Sequence, residues 1–273
     1  MSSLRSDIQY DALHPRDHER IARFIGDQAG IQLPEHKRNL IETRLRKRQR
    51  ALGYQTLRDY VGEALKPGSK ETLFLIDALT TNKTEFFREA SHYEWYMRYL
   101  KEHRGTETIQ IWSAGCSSGE EPYTLSMLAI EQDAIVRIVA TDISCSMLDV
   151  ARRAIYLHKT VTPVPLALRN KYLLRRKTDD RDEVKIARAV RQNVRFDEFN
   201  LITDDFAVMP RFDMIFCRNV MIYFNPLQRQ QLVDRFYRQL KPGGLFFIGH
   251  SESLKETADK FNSVVPTVYQ RGK

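Results

Sequence analysis

The chain has 273 residues, 42% hydrophobic and 10% aromatic, which is ordinary for a globular protein and long enough for one large domain or two unequal ones. Its formal charge of +8 favours an acidic partner, whether nucleic acid, a membrane surface or a protein face rich in Glu and Asp. No apolar run approaches the roughly 20 residues needed to cross a bilayer. The polar start MSSLRSDIQYD has no signal-peptide core, and Cys116, Cys145 and Cys217 have neither disulfide-framework nor zinc spacing, so a cytoplasmic protein with reduced thiols is expected.

Up to about residue 80 the pattern is helical, with stops at Gly30, Gly53 and KPGS (66–69), and predicts helices over 17–29, 35–52, 56–66 and 69–80. Between Lys37 and Arg50 seven basic residues face one acid, Glu42. Leu40, Ile41, Leu45 and Leu52 recur at helical spacing and leave Thr43, Arg46, Lys47 and Arg50 on the other side, a basic stripe on an amphipathic helix. Such a stripe is ordinarily a solvated face, with nucleic acid the next choice.

Residues 81–107 read as a linker and covering segment. From about 108 strand-like and helical runs alternate: TIQIWSA, EPYTLSMLAIEQ, VRIVATD, SMLDVARRAIYL, then RFDMIFCRN, a helix opened by Asn225 and Pro226, and GGLFFIGH. Alternation of this kind predicts parallel strands joined by crossover helices. Residues 158–195 interrupt it with charged, β-alternating sequence such as DEVKIARAVRQNVRF and predict a short antiparallel insertion.

The stretch WSAGCSSGEEPYT (112–124) reads as strand, glycine turn and helix start. Turns of this kind commonly hold phosphate on free N–H groups at the positive end of the helix dipole. G-C-S-S-G lacks G-x-G, however, and Glu120 and Glu121 stand where a pyrophosphate would sit. A ligand bearing positive charge would be welcome instead, and the ammonium and sulfonium of S-adenosylmethionine meet that condition. Asp142, ending the next strand, suits ribose hydroxyls, although an Asp there also caps helices.

TTNKTEFFRE (80–89), WSAGCSSGEEPYT, ATDIS, FDMIFCRNVMIYF and GHSESL resemble, in order, the signature blocks of the CheR-type chemotaxis receptor methyltransferases. The likeness extends to the N-terminal GIQLPEHKRNLIETRLRKRQRALG. It implies an α/β fold: a Rossmann-like methyltransferase sheet domain (108–273) with an inserted antiparallel β-subdomain (158–195), preceded by a small all-α domain (1–80). The implied activity moves a methyl group from S-adenosylmethionine to glutamate side chains on the cytoplasmic helices of chemoreceptors, leaving a methyl ester and S-adenosylhomocysteine.

Through the matching blocks, the implied cofactor contacts are Asn82, Thr84, Arg88, Glu121, Asp142, Asn200, Leu201, Arg218 and Asn219, with Tyr223 beside the departing methyl. Arg88 and Tyr223 are the candidate catalytic residues. The resemblance places Arg44, Arg46, Lys47, Arg48 and Arg50 against the acidic methylation region of the receptor. Some relatives also grip a receptor C-terminal peptide with glycines in the subdomain hairpin; the turn here, RKTDDRDE, has none, so no dependence on such a tether is expected.

The chemistry asks for little more. A glutamate with an ordinary pKa near 4.3 is ionised at pH 7 and sulfonium leaves readily, so alignment replaces a general base. That agrees with the lack of a recognisable Ser/His/Asp or Cys/His set; His250 has no obvious partner in sequence. No metal is expected. A nucleic-acid methyltransferase would carry a D/N-P-P-Y-type block where this chain has RNVMIYF. A non-catalytic adaptor with a vestigial pocket is the other class, and nothing demands more than a monomer.

Overall fold

The computed structural model describes residues 11–105, 107–175, 182–254 and 260–272. The chain divides into two compact units, residues 1–81 and 82–273.

The first unit holds α1 (Pro15–Ala29), α2 (Arg38–Leu52), α3 (Leu57–Ala64) and α4 (Glu71–Leu79). Pro15 opens α1 behind the His14 side-chain cap, and Gly30, at φ 73°, closes it in the left-handed region where glycine is unstrained. Thr56 caps α3 by accepting from the Asp59 amide. Ile21, Ile25, Ile41, Leu45, Tyr60 and Leu75 form a core with almost no exposure.

Helix α2 departs from the expected stripe. Its buried face is Ile41, Glu42, Leu45, Arg46 and Gln49, whereas Leu40 and Leu52 are exposed. A buried ion pair explains the rotation: Arg46 donates to Glu42 at 2.9 Å and to the Asp11 carbonyl, and Glu42 accepts the Leu13 amide at 2.8 Å. Both charges are thereby matched inside the unit.

In the second unit α5 (Ser91–Glu102) stands where a linker was expected, because Tyr93, Tyr96 and Leu100 recur at helical spacing and bury together. After it come β1 (Ile109–Ala114), α6 (Glu120–Glu131), β2 (Val136–Asp142), α7 (Cys145–Arg153), β3 (Ile155–Leu157), α8 (Leu166–Tyr172), β4 (Leu173–Arg175), β5 (Glu183–Ile186), α9 (Arg188–Arg191) and β6 (Val194–Glu198). The unit ends with β7 (Phe212–Cys217), α10 (Pro226–Gln239), β8 (Leu240–Ile248), β9 (Phe261–Val265) and β10 (Val268–Arg271).

Among the described residues, seven strands form one sheet in the order β6-β2-β1-β7-β8-β10-β9. Strands β6, β2, β1, β7 and β8 run parallel; β10 pairs antiparallel with β8 on one side and with β9 on the other. Strand order reverses at β1, between β2 and β7, and such a switch point opens a crevice at the carboxyl ends of the strands. Trp112 anchors the sheet below it, fully buried among Phe199, Phe206, Phe212 and Phe236, with its indole N–H donating to Thr141 Oγ1 at 2.9 Å.

The insertion, in its described residues, is a three-stranded antiparallel sheet in the order β3-β5-β4. Its bounds differ from 158–195 at both ends. It begins at Ile155, directly after α7, and Val194 already belongs to the main sheet, pairing in parallel with Ile138. The expected glycine-free turn RKTDDRDE lies largely outside the described residues.

Candidate active site

The glycine turn joins β1 to α6 and satisfies itself. The amides of Gly115 and Cys116 donate to the Thr141 carbonyl at 2.8 and 2.9 Å, and the Ser117 amide donates to Asp142 Oδ2 at 2.7 Å. These are the N–H groups a phosphate would have used. The other Asp142 oxygen accepts the Ser144 amide at 2.8 Å, at the cap of α7. Asp142 is 8% exposed and braces two turns at once.

The glycines serve packing within the protein. Gly115 (φ 83°) and Gly119 (φ 95°) sit in the left-handed region. A Cβ on Gly115 would lie 2.4 Å from Val220 Cγ2, and one on Gly119 would lie 2.9 Å from Ala151 Cβ. The turn is thus pressed between the loop after β7 and helix α7.

The two acids diverge. Glu120 turns inward to accept the Ser118 hydroxyl at 2.7 Å, and burial pushes its carboxyl up despite that bond. Glu121 accepts the Ser113 hydroxyl at 2.7 Å and the Arg218 Nε–H at 2.6 Å. Arg218 is 7% exposed and spends its remaining donors on the Arg88 carbonyl (2.7 Å), His92 Nδ1 (3.2 Å) and the Tyr93 hydroxyl (3.0 Å). Burial works against its charge, but Glu121, Tyr93 and Glu89 outweigh burial and raise its pKa. Within the protein its guanidinium holds Glu121 and the 88–93 segment.

His92 completes this support. Its Nε2 lies 2.7 Å from Thr267 Oγ1, and burial, with Arg218 beside it, lowers its pKa to about 4. The ring is therefore neutral at pH 7, with Nδ1 accepting from Arg218. His250, exposed and edge-on to His92 at 4.9 Å, approaches Ser91 Oγ at 3.3 Å. Ligand atoms of Glu89, His92 and His250 lie within 4.8 Å of one another, but a cation placed there would face the Arg218 guanidinium.

The loop after β7 carries Asn219 and Tyr223. Asn219 adopts φ 60°, donates its side-chain N–H to Glu89 Oε1 at 3.1 Å, and leaves its own Oδ1 buried without a partner. Glu252 was not singled out from the sequence, although GHSESL contains it. Its Oε2 accepts the Asn219 amide at 2.9 Å and the Gly249 amide at 2.5 Å. Burial raises its pKa, opposed by those amides and by the amides of Met221 and Ile222. Tyr223 is half-buried in the short turn Met221–Tyr223.

Of the other expected residues, Asn82 gives its carbonyl to the Ser117 hydroxyl at 3.3 Å, and Arg88 is half-exposed and bonded to the Lys83 carbonyl at 2.8 Å. Thr84 is half-buried in the same segment. Asn200 accepts the Ile202 amide at 2.9 Å in the turn after β6, and Leu201 is buried beside it. Carboxylates therefore dominate this edge: Glu89, Glu121, Asp142 and Glu252 stand against one buried guanidinium. Such a donor set repels a diphosphate and suits a guest bearing positive charge.

On α2 the five expected basic residues separate into two groups. Arg44 donates to the Thr80 carbonyl at 2.9 Å, Arg48 forks onto Glu71 at 2.9 and 2.7 Å, and Arg46 is buried. These three are committed within the unit; Arg46 in particular is removed from the exposed stripe by its partners Glu42 and Asp11. Lys47 and Arg50 are exposed and line a surface hollow with Thr43.

A doubly wound sheet with an antiparallel edge hairpin, a self-satisfied glycine turn and an acid-rich carboxyl edge defines a Rossmann-like S-adenosylmethionine methyltransferase. Residues 82–270 match the family described as CheR methyltransferase, SAM binding domain, and residues 16–80 match CheR methyltransferase, all-alpha domain. The chain belongs to the CheR methyltransferase family. It is 35% identical to chemotaxis protein methyltransferase 2 of Pseudomonas aeruginosa, over 93% of this chain and 92% of the relative. It is likewise 35% identical to the chemotaxis protein methyltransferase of Escherichia coli, over 96% and 93% of the two chains. The cofactor of the sheet domain is S-adenosylmethionine.

Proposed function

We propose that this protein transfers a methyl group from S-adenosylmethionine to glutamate side chains of chemoreceptors, forming methyl esters in chemotactic adaptation. The observation that carries this reading is the family match through both units, residues 16–80 and 82–270. Bound S-adenosylmethionine supplies a methyl already activated on a sulfonium.

The protein's own residues then have two tasks, holding and aligning. Glu121, fixed by Ser113 and Arg218, offers negative charge to a cationic guest, and Asp142, at the carboxyl end of β2, serves the ribose hydroxyls. Asn82, Thr84, Arg88, Asn200, Leu201, Arg218 and Asn219 complete our cofactor set, Arg218 also holding Glu121 in place. Arg88 and Tyr223 orient the incoming carboxylate. Because that carboxylate is ionised at pH 7, no residue removes a proton from it. Alignment of carboxylate, carbon and sulfur is worth on the order of 7–11 kcal/mol.

We place the enzyme in the cytoplasm as a monomer, with neither nucleic acid nor a C-terminal receptor peptide required. No helix among the described residues is long and apolar enough to cross a membrane. Lys47 and Arg50 meet the acidic receptor face. The test is transfer of labelled methyl to a receptor cytoplasmic fragment, followed by alkali: ester methyls leave as methanol, whereas label that survives alkali would refute the reading.

A further inference from the structure

Two loops leave the carboxyl edge of the sheet side by side, one after β7 and one after β8, and they are packed with no room to spare. A Cβ on Gly249 would lie 2.4 Å from Asn219 Nδ2 and 2.8 Å from the Asn219 amide nitrogen. One carboxylate spans the pair. Glu252 Oε2 takes the Asn219 amide from the first loop and the Gly249 amide from the second, while its own amide donates to the Gly249 carbonyl at 2.9 Å. The amides of Met221 and Ile222, one turn further along the first loop, also point toward this carboxylate. Successive amides converging in this way form an anion nest, which here is filled by the protein's own side chain.

We propose that Glu252 is a positioning residue for methyl transfer: it ties the loop that carries Asn219 and Tyr223 to the turn after β8 and so fixes where Tyr223 stands. The assignment rests on the methyltransferase reading above. Its physical basis is the strength of charge-assisted hydrogen bonds to amides and the cost of leaving such amides buried and unpaired. Glu89 tethers the same two loops through the Asn219 side chain and the His250 amide (3.2 Å), so the loops stay joined when Glu252 is changed. What is lost is the backbone hold on residues 219–222. Loss of alignment rather than loss of fold is the expected consequence, and a displacement of about 1 Å in a transfer geometry can cost on the order of a hundredfold in rate.

The experiment compares E252Q and E252L with the unaltered chain by three measurements: amide hydrogen exchange of the free protein, the dissociation constant of S-adenosylhomocysteine by calorimetry, and kcat on a receptor fragment. E252Q keeps one carbonyl acceptor and E252L keeps none. We expect amide exchange at Asn219 and Gly249 to accelerate in the order parent, E252Q, E252L, with the amides of β1 unchanged. We expect kcat to fall by about tenfold in E252Q and about a hundredfold in E252L while the dissociation constant moves less than about threefold. Parental kcat in E252L, or equal losses of kcat and S-adenosylhomocysteine affinity, would overturn this assignment alone. An unaltered chain that neither binds S-adenosylhomocysteine nor transfers methyl would overturn the functional reading with it.

Discussion

Arg218 and Glu121 form a buried pair, Nε to Oε2 2.6 Å, with each side chain only 3% and 12% exposed. The acid beside the glycine turn is therefore an oriented half of an ion pair. Breaking a buried pair leaves an uncompensated charge, typically at a cost of 3–5 kcal/mol. Arg218→Met should lose about that much unfolding free energy in urea and also weaken S-adenosylhomocysteine binding. Arg88→Ala, at a half-exposed site, should lose less than about 1 kcal/mol, with its larger effect on kcat.

The two groups of α2 residues separate stability from partner recognition. Reversing charge at Lys47 and Arg50 should lower kcat/KM for a receptor fragment several-fold at low salt, leaving the urea midpoint and cofactor affinity unchanged. Arg46→Ala should do the opposite, costing about 3 kcal/mol by stranding Glu42. Raising the ionic strength of the parent should mimic the first variant, because exposed pairs are screened and buried ones are not.

His92 gives the protein an acid-sensitive point. Folding holds its pKa at about 4 against an ordinary 6.5. Between those values the unfolded chain binds a proton that the folded chain refuses, so stability falls as pH drops through the window, by on the order of 3 kcal/mol when complete. His92→Gln keeps an acceptor for Arg218 and a donor for Thr267. Unfolding at pH 7 and pH 4.5 should show a smaller loss in the variant. Buried Glu120 and Glu252, whose carboxyls are pushed up and whose contributions have the opposite sign, are common to both proteins.

Gly115→Ala tests the pressed turn. A positive φ and a 2.4 Å approach to Val220 should together cost at least about 2 kcal/mol. Adding Val220→Ala should restore the steric part only, which a double-mutant cycle of unfolding free energies would measure.

The parallel sheet was legible because each strand and crossover helix carries its own hydrophobic period, and the glycine turn because its residues are contiguous. The order of the charges was not. Arg46 read as part of an exposed stripe because its partner Asp11 is 35 residues distant in sequence, and the bonds of Arg44 to Thr80 and Arg48 to Glu71, 36 and 23 residues away, were equally out of view. Glu42 lies four residues from Arg46 and was the available clue: an acid alone in a basic run at i,i−4 signals a pair. The edge strands β9 and β10 escaped because FNSVVPTVYQR contains no alternation strong enough to declare them. Glu252 escaped since its partners are backbone amides, which sequence does not distinguish.

The bond from the Ser117 amide to Asp142 means that the floor of the crevice is completed by folding itself. A nucleoside arriving there finds a finished mould rather than a slack loop awaiting an anion, so docking should release little heat from loop ordering and the empty and loaded proteins should share one turn geometry.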